Sequence, residues 1–440
     1  MIKGLVETLR PGRPGWPALL LAAFILVGCA SLAPTPPPAP ATATPQQLTP
    51  TPSPTPTPEP TPLITTLEIW LPQELDPYGE NVGAEILAGQ LSEFNRTHTN
   101  IRVQVVVKKA HGRGGLVDFM RTARDAAPSV LPDLVILDAS DLETVRRAGL
   151  VQPLDELLPS SVIEAQFPFA SAMSKAEGRT VGTLLGVDMQ HLAYRPALFE
   201  TTPVTWTEVL SAEVPFLFPG GGIDAQINDA TLIQYLGAGG RLVDEEGNPS
   251  LDEDVMIDVF TFYTQCVTHT VIAPLEVLGL THVDQAWERF KAGEGGMTAV
   301  RANRYWVEAD ETMAAAPIPT KDGQPISIAR GWALAMVTEI PERQEPALLL
   351  IDWLTDPEHN ALWTQTAGYL PATRAVLQLW PVPEEDRSWL YALLEGAVPP
   401  PGPALKEVIG VPMQRALESL LMGEQTPEEA AASAIERLRR

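Results

Sequence analysis

Polar side chains are plentiful in this chain, but few stand at a spacing that catalysis or metal binding requires. The six histidines, at 98, 111, 191, 269, 282 and 359, are scattered, and none forms a metal-ligand pair. Asp244-Glu245-Glu246-Gly247-Asn248 has the composition of a calcium loop without its alternate-ligand register, and reads better as a polar turn. There is no Gly-x-Ser-x-Gly elbow, Walker loop, His-Glu-x-x-His or dinucleotide fingerprint. Gly112-Arg113-Gly114-Gly115 and Gly220-Gly221-Gly222 are glycine turns lacking the third spaced glycine. Lys108, Lys109, His111 and Arg113 make one basic loop, able to hold an anion or simply to be solvated. What remains is hydrogen-bonding chemistry: carboxylates, amides and tryptophans. Carboxylates accept from hydroxyls, amides both donate and accept, and indole faces stack on sugar rings.

The overall balance narrows the partners. The chain has 440 residues and a net charge of −25, with Lys+Arg 30 against Asp+Glu 55. Such a surface is repelled by phosphate backbones, so nucleic-acid binding is not expected. Hydrophobic residues make up 45 % and charged residues 19 %, enough to bury a sizeable core. Cys29 and Cys266 are too few for a disulfide framework or a cysteine zinc site.

Two segments precede the folding part. Lys3, Arg10 and Arg13 lead into the apolar run Ala18 to Val27, closed by Gly28-Cys29. Ten apolar residues make a helix of about 15 Å, roughly half a bilayer core, which suits a cleaved leader and not a membrane span. Leu26-Val27-Gly28-Cys29 resembles the bacterial lipobox, which implies a signal peptide over 1–28 and lipidation of Cys29, a reading preferred here over the alternative of an ordinary secretory signal with a chance cysteine. Residues 29–62 are dominated by proline and threonine with one charge, Glu59. That composition cannot bury a core and predicts an extended polyproline-like tether, up to ~100 Å long.

From Leu63 onward, strands alternate with helices. Strands are predicted at Leu67 to Trp70, Ile101 to Val107 and Leu134 to Leu137, and helices over about 83–94 and 116–126. This β-α-β-α-β series predicts a mainly parallel sheet with helices on both faces. Capping boxes at Ser140–Glu143, Thr205–Glu208, Ser250–Glu253 and Thr426–Glu429 place further helix starts. Asp356-Pro357 opens another helix that Gly368 closes. Strands resume near Met297 and Gly331.

Several stretches, in collinear order, resemble the bacterial extracellular solute-binding proteins of the maltose-binding-protein type. They are Phe94 to Val103, Pro132 to Asp138 with Ala148 to Asp155, Tyr194 to Phe199 with Thr205 to Leu210, Phe290 to Met297, and Gly368 to Ala372. Arg195-Pro196 stands where the family has Asn-Lys. The resemblance implies an α/β, two-lobed periplasmic-binding-protein fold with a hinge of crossing segments and a central ligand cleft. By analogy, lobe 1 holds 63–187 and 332–380, and lobe 2 holds 188–331 and 381–440. It also implies no enzymatic activity, no cofactor, a monomer, and ABC-importer permease subunits as partners for a lipid-anchored receptor outside the cytoplasmic membrane.

Ligands in such folds bind where strands end and helix N-termini converge. That rule selects Gln73, Glu74 and Tyr78 after the first strand, Asp138 and Ser140 after the third, and Asp188 and Gln190 at the first crossing. It also selects Asn228 and Asp229 after a glycine turn, Asn303, Arg304 and Trp306 after the strand at 297–301, and Trp332 at the next crossing. Each tryptophan could equally pack a core, and Trp70, Trp353 and Trp363 are assigned there. Asp188 resembles the family's acidic cleft residue. The ligand expected is a sugar or oligosaccharide, with anions disfavoured by Asp138, Asp188 and Asp229. Two other functions stay open: a surface-anchored hydrolase using paired carboxylates, and a solute sensor without transport.

Overall fold

The computed structural model describes residues 64–439. The leader, Cys29 and the proline-rich tether lie outside the described residues. Among the described residues nine strands build two sheets: β1 (Thr65–Pro72), β2 (Ile101–Lys108), β3 (Leu134–Asp138), β4 (Thr183–Asp188), β5 (Gln190–Tyr194), β6 (Phe216–Leu217), β7 (Met297–Arg301), β8 (Ala314–Ala316) and β9 (Arg330–Met336). A further short hairpin, Lys175–Ala176 with Arg179–Thr180, stands apart. The larger sheet has the order β2-β1-β3-β9-β4 and the smaller β8-β5-β7-β6.

Alternation of side chains explains why each sheet is covered on both faces. In β3, Val135 and Leu137 point into one core while Leu134 and Ile136 point into another. In the smaller sheet, Leu192 and Tyr194 share one core and Ala193 lies in the opposite one. The result is two α/β bodies, each with its own sheet and its own pair of buried layers.

The exceptions to parallel pairing have a simple cause. β4 ends at Asp188 and, one residue later, β5 begins at Gln190 in the other sheet. A strand that crosses over enters its new sheet from the cleft end, opposite in direction to strands that leave there. β5 therefore pairs antiparallel with β7, and β9, the return crossing, pairs antiparallel with β3 and β4.

Helix starts follow local chemistry. Asn81 accepts from Ala84 N at 2.9 Å and caps Val82–Thr97, which buries Leu87, Leu91 and Phe94 at helical spacing. That helix lies so close to Pro357–Ala367 that a Cβ on Gly83 would sit 2.6 Å from the Ala367 Cβ. The boxes at Thr205–Glu208 and Thr426–Glu429 form as expected, as do the Asp356 cap and the left-handed Gly368 stop. Two boxes do not form. Ser140 is drawn back to Asp138, whose carboxylate accepts from both its amide and its hydroxyl. At the other, Asp252 takes the cap two residues after Ser250, accepting from Val255 N.

The last third of the chain divides differently from the expectation. Helix Glu384–Gly396 buries Leu390, Leu393 and Leu394 in the same core as Leu184 and Val187 of the larger sheet. Only Pro403–Leu421 and Pro427–Leu438 join the core of the smaller sheet. Cys266 is free and buried within that second core. Among the described residues no helix is long and apolar enough to cross a membrane.

Candidate functional site

The strand registers bring four residues to one seam. Asp188 pairs with Arg330 across β4 and β9, and Gln190 pairs with Arg301 across β5 and β7. Beside them opens a cavity of ≈ 330 Å³, whose lining includes Asp188, Gln190, Asn228, Asp229, Arg301 and Arg330. Its outer wall is the turn Ile223 to Gln226, closed by Gln226 N donating to Ile223 O at 2.8 Å. Asp224 and Ala225 both hold left-handed backbone there, at φ 51° and 58°, a conformation that costs of order 1 kcal/mol or more for residues with a Cβ. Gly222 precedes them at φ 64°, where a Cβ would meet the Gln226 carbonyl at 2.2 Å.

The charges around this cavity are paired except for the exposed Asp224. Asp188 is 13 % exposed, accepts from Asn303 N at 3.2 Å, and lies 3.9 Å from Arg301. Burial pushes its carboxyl up to about 6, against the opposing pull of Arg301 and the Asn303 hydrogen bond. Arg301 grips Asp284 with two bonds, at 3.1 and 2.7 Å. Asp229 opens helix Asp229–Gly237 and is held between Lys406 at 3.0 Å and Arg330 at 2.5 Å. Four carboxylates (Asp188, Asp224, Asp229, Asp284) thus face three cations (Arg301, Arg330, Lys406). The bare acidic cleft expected from Asp138, Asp188 and Asp229 is replaced by a nearly balanced one.

Of the expected site residues, the structure gathers Asp188, Gln190, Asn228 and Asp229 around this cavity. The others lie elsewhere. Gln73 and Glu74 sit exposed on the turn after β1, and Tyr78 is 73 % exposed. Glu74 borders a narrow crevice beside Trp363 and Tyr369. Asp138 accepts from Ser140 and lies 3.7 Å from His111. Trp332 is half-buried on β9, where its indole donates to Tyr369 Oη at 3.0 Å. Arg304 is consumed by Glu308 and Glu288 on the second body. Asn303 contributes its backbone amide to Asp188. Trp306 is packed among Tyr305, Trp380 and Trp389, which is core geometry and not an open platform.

Sequence reasoning missed Arg301, Arg330, Asp284 and Lys406. Arg301 ends β7, so the strand-end rule was applied one residue too late. Arg330 stands directly before the glycine that marked the second crossing. Asp284 and Lys406 arrive from helices far along the chain and carry no local signal. Asp244 forms the polar turn expected of it, accepting from the Glu246 and Asn248 amides. Among the described residues no group of three or more His, Cys, Asp or Glu side chains could hold a metal ion. A larger cavity of ≈ 580 Å³ lies at the far end of the same strands, where β3 begins and β9 ends, bordered by Asp133, Val337 and Arg343.

Comparison with known proteins supplies the context for this seam. No curated protein sequence matches the chain. Solved structures do: maltose-bound MalE3 of T. maritima has a TM-score of 0.63 at 20 % identity, covering 85 % of this chain and 99 % of its own. The cyclic alpha-maltosyl-1,6-maltose binding protein of Arthrobacter globiformis has a TM-score of 0.66 at 17 % identity, covering 85 % and 98 %. The sugar-binding protein MalE of Xanthomonas citri has a TM-score of 0.65 at 19 % identity, covering 85 % and 96 %. These establish the two-lobed fold. Residues 90–387 match the family described as bacterial extracellular solute-binding protein. That match spans more than half of the sequence, and the chain belongs to the bacterial extracellular solute-binding protein family.

Proposed function

We propose that this protein is the receptor of an ABC importer for a neutral sugar or oligosaccharide, held in the cavity between the two bodies. The observation that carries this reading is the balanced cavity at the crossing seam. Its fixed charges other than the exposed Asp224 are already paired, while buried amide atoms of Gln190 and Asn228 stay unpartnered. Neutral hydroxyls fill such a site without disturbing the ion pairs, and the similar structures named for maltose and maltosyl ligands are consistent with it. The receptor works by closure, ligand stabilising the state in which both bodies touch it. We place the lobe boundaries at the 188/190 and 329/330 crossings and at a third near Val398, after the helix that packs with the larger sheet. No covalent step is involved.

A thermal-shift screen of the full chain against saccharides, polyols, amines and phosphate esters tests this. A ligand at 100 times its Kd adds about 2.7 kcal/mol of apparent stability. Saccharides are expected to give the largest shift, and Asp188→Ala to weaken the best of them by about 1–3 kcal/mol. A phosphate ester as the strongest ligand would overturn the assignment.

The same reading places the protein outside the cytoplasmic membrane, attached through lipidated Cys29 and working as a monomer. Cys29→Ala should therefore appear in the soluble fraction after cell fractionation, since ten apolar residues cannot span the bilayer. Retention of that variant as an integral membrane protein would refute the anchor.

A further inference from the structure

Cations gather in one place on this acidic chain. Residues 101–127 carry Arg102, Lys108, Lys109, Arg113, Arg121 and Arg124 against Asp118 and Asp125, within a net charge of −25. Elsewhere carboxylates hold most of the guanidinium groups, as Asp155 holds Arg179 and Glu395 holds Arg374. None of these six cations forms an ion pair with a described residue, and all but Lys108 are exposed. Arg121 comes nearest, its charge reaching Asp141. Lys108 closes β2 with its Nζ 4.3 Å from the ring centres of both Trp70 and Phe119. Phe119, on helix Leu116–Ala126, is nevertheless 45 % exposed. The turn between strand and helix carries Lys109 and Arg113, and is closed by Gly115 N donating to Gly112 O and Leu116 N to Lys109 O, both at 2.9 Å. The neighbouring carboxylates are occupied: Asp118 accepts from Gly114 N at 2.7 Å, and Asp138 and Asp141 lie 3.7 and 3.5 Å from His111.

An exposed aromatic ring among unpaired cations matches a surface that offers phosphates above an apolar layer. An acidic, water-soluble chain would meet the charges and leave the ring in water. We infer that this face seats the receptor on anionic phospholipid, with Lys109 and Arg113 on headgroup phosphates and Phe119 at the acyl boundary. Arg102, Arg121 and Arg124 add attraction at longer range. The inference rests on the reading above that the protein is anchored at the cytoplasmic membrane. The remaining surface is more acidic than the chain as a whole and is repelled by the same lipids, so only this face approaches. Since the turn follows the last residue of β2, that approach points the cleft end of the larger sheet at the bilayer.

Residues 61–440 form one compact unit that contains every core described above, so the test uses this module, free of the apolar leader. It is sedimented with vesicles of phosphatidylglycerol and phosphatidylcholine in equal parts, or of phosphatidylcholine alone. The anionic vesicles are expected to carry the module down at about 0.1 M salt and release it at about 1 M. The neutral ones should not bind it. Lys109→Glu with Arg113→Glu should lower partitioning at least about 20-fold, and Phe119→Ser about fivefold at unchanged charge. Lys175→Glu with Arg415→Glu, both exposed and outside this face, makes the same charge change and should cost at most about twofold. Equal losses in the two double variants trace binding to net charge and overturn the docking face. So does equal binding to neutral vesicles, or tighter binding to poly-glutamate than to anionic vesicles. A module that binds saccharide and ignores anionic vesicles overturns the docking face and leaves the receptor reading standing. Binding to vesicles without binding to any saccharide supports the face while the receptor reading falls.

Discussion

Replacing Arg343 with methionine is expected to cost about 3 kcal/mol of folding stability, read as a lower urea midpoint with an unchanged slope. The reason lies at the start of β3. Asp133 has a side chain only 5 % exposed, and Arg343 meets it with Nε at 2.6 Å and Nη2 at 2.5 Å. The same Nη2 donates to Thr66 O at 2.6 Å, while Glu68 N donates to the carboxylate at 2.8 Å. The Asp133 backbone oxygen accepts from Val337 and Thr338. One residue thus ties β1, β3, the end of β9 and helix Pro341–Thr355 together. Removing the guanidinium leaves a buried carboxylate with one donor, which is costlier than removing the pair. Adding Asp133→Asn to the methionine variant should recover part of the loss. A single variant within 1 kcal/mol of wild type would contradict this account.

The second expectation concerns pH. Burial raises the Asp188 carboxyl to about 6 from its ordinary 3.8, although Arg301 and the Asn303 amide favour the charged form and Arg330 adds to them; Asp284 works with burial. Burial also lowers the His191 imidazole to about 4 from 6.5, despite the Leu192 carbonyl on Nδ1. The two act with opposite sign. A carboxyl raised on folding stabilises the native state at low pH, and that contribution is lost as pH rises from 3.8 through 6. A histidine lowered on folding stabilises it at high pH, and that contribution is lost as pH falls from 6.5 through 4. Between pH 4 and 6 the native state holds one proton more at Asp188 and one fewer at His191, so these contributions cancel. Asp188→Asn removes one side of that balance while keeping an acceptor for the Asn303 amide. Its stability relative to wild type should then decline by up to about 1.4 kcal/mol per pH unit on acidification, with the variant more stable by about 2–3 kcal/mol above pH 7. His191→Phe should show the reverse slope. Parallel stability–pH curves for wild type and Asp188→Asn would rule out the raised carboxyl.

The strands and helices were legible because burial on both faces writes itself as a continuous apolar run in β3 and one-sided burial as helical spacing in Leu87, Leu91 and Phe94. Caps were legible only in part. Ser140 and Ser250 each have a nearby aspartate that competes for the same work, and a motif that spans four residues does not show which oxygen wins. The seam itself was visible through Asp188 and Gln190, since a crossing must leave one sheet and enter the other there. Lys406 and Asp284 were invisible for the opposite reason: they reach the cavity from helices whose sequences record only their own packing. The acidity of the whole chain misled about the cleft, because net charge does not reveal which carboxylates have already found a cation.

Trp306 carries a practical consequence. It belongs to the helix that follows β7, yet its ring lies 6.4 Å from Trp389 and 5.5 Å from Trp380, both packed with the larger sheet. It also packs against the layer that holds Trp287 and Tyr305 of the smaller body. A change in the angle between the two bodies must shift these indoles against one another. The chain therefore contains its own optical gauge: native tryptophan emission should report opening and closing in real time, without any label.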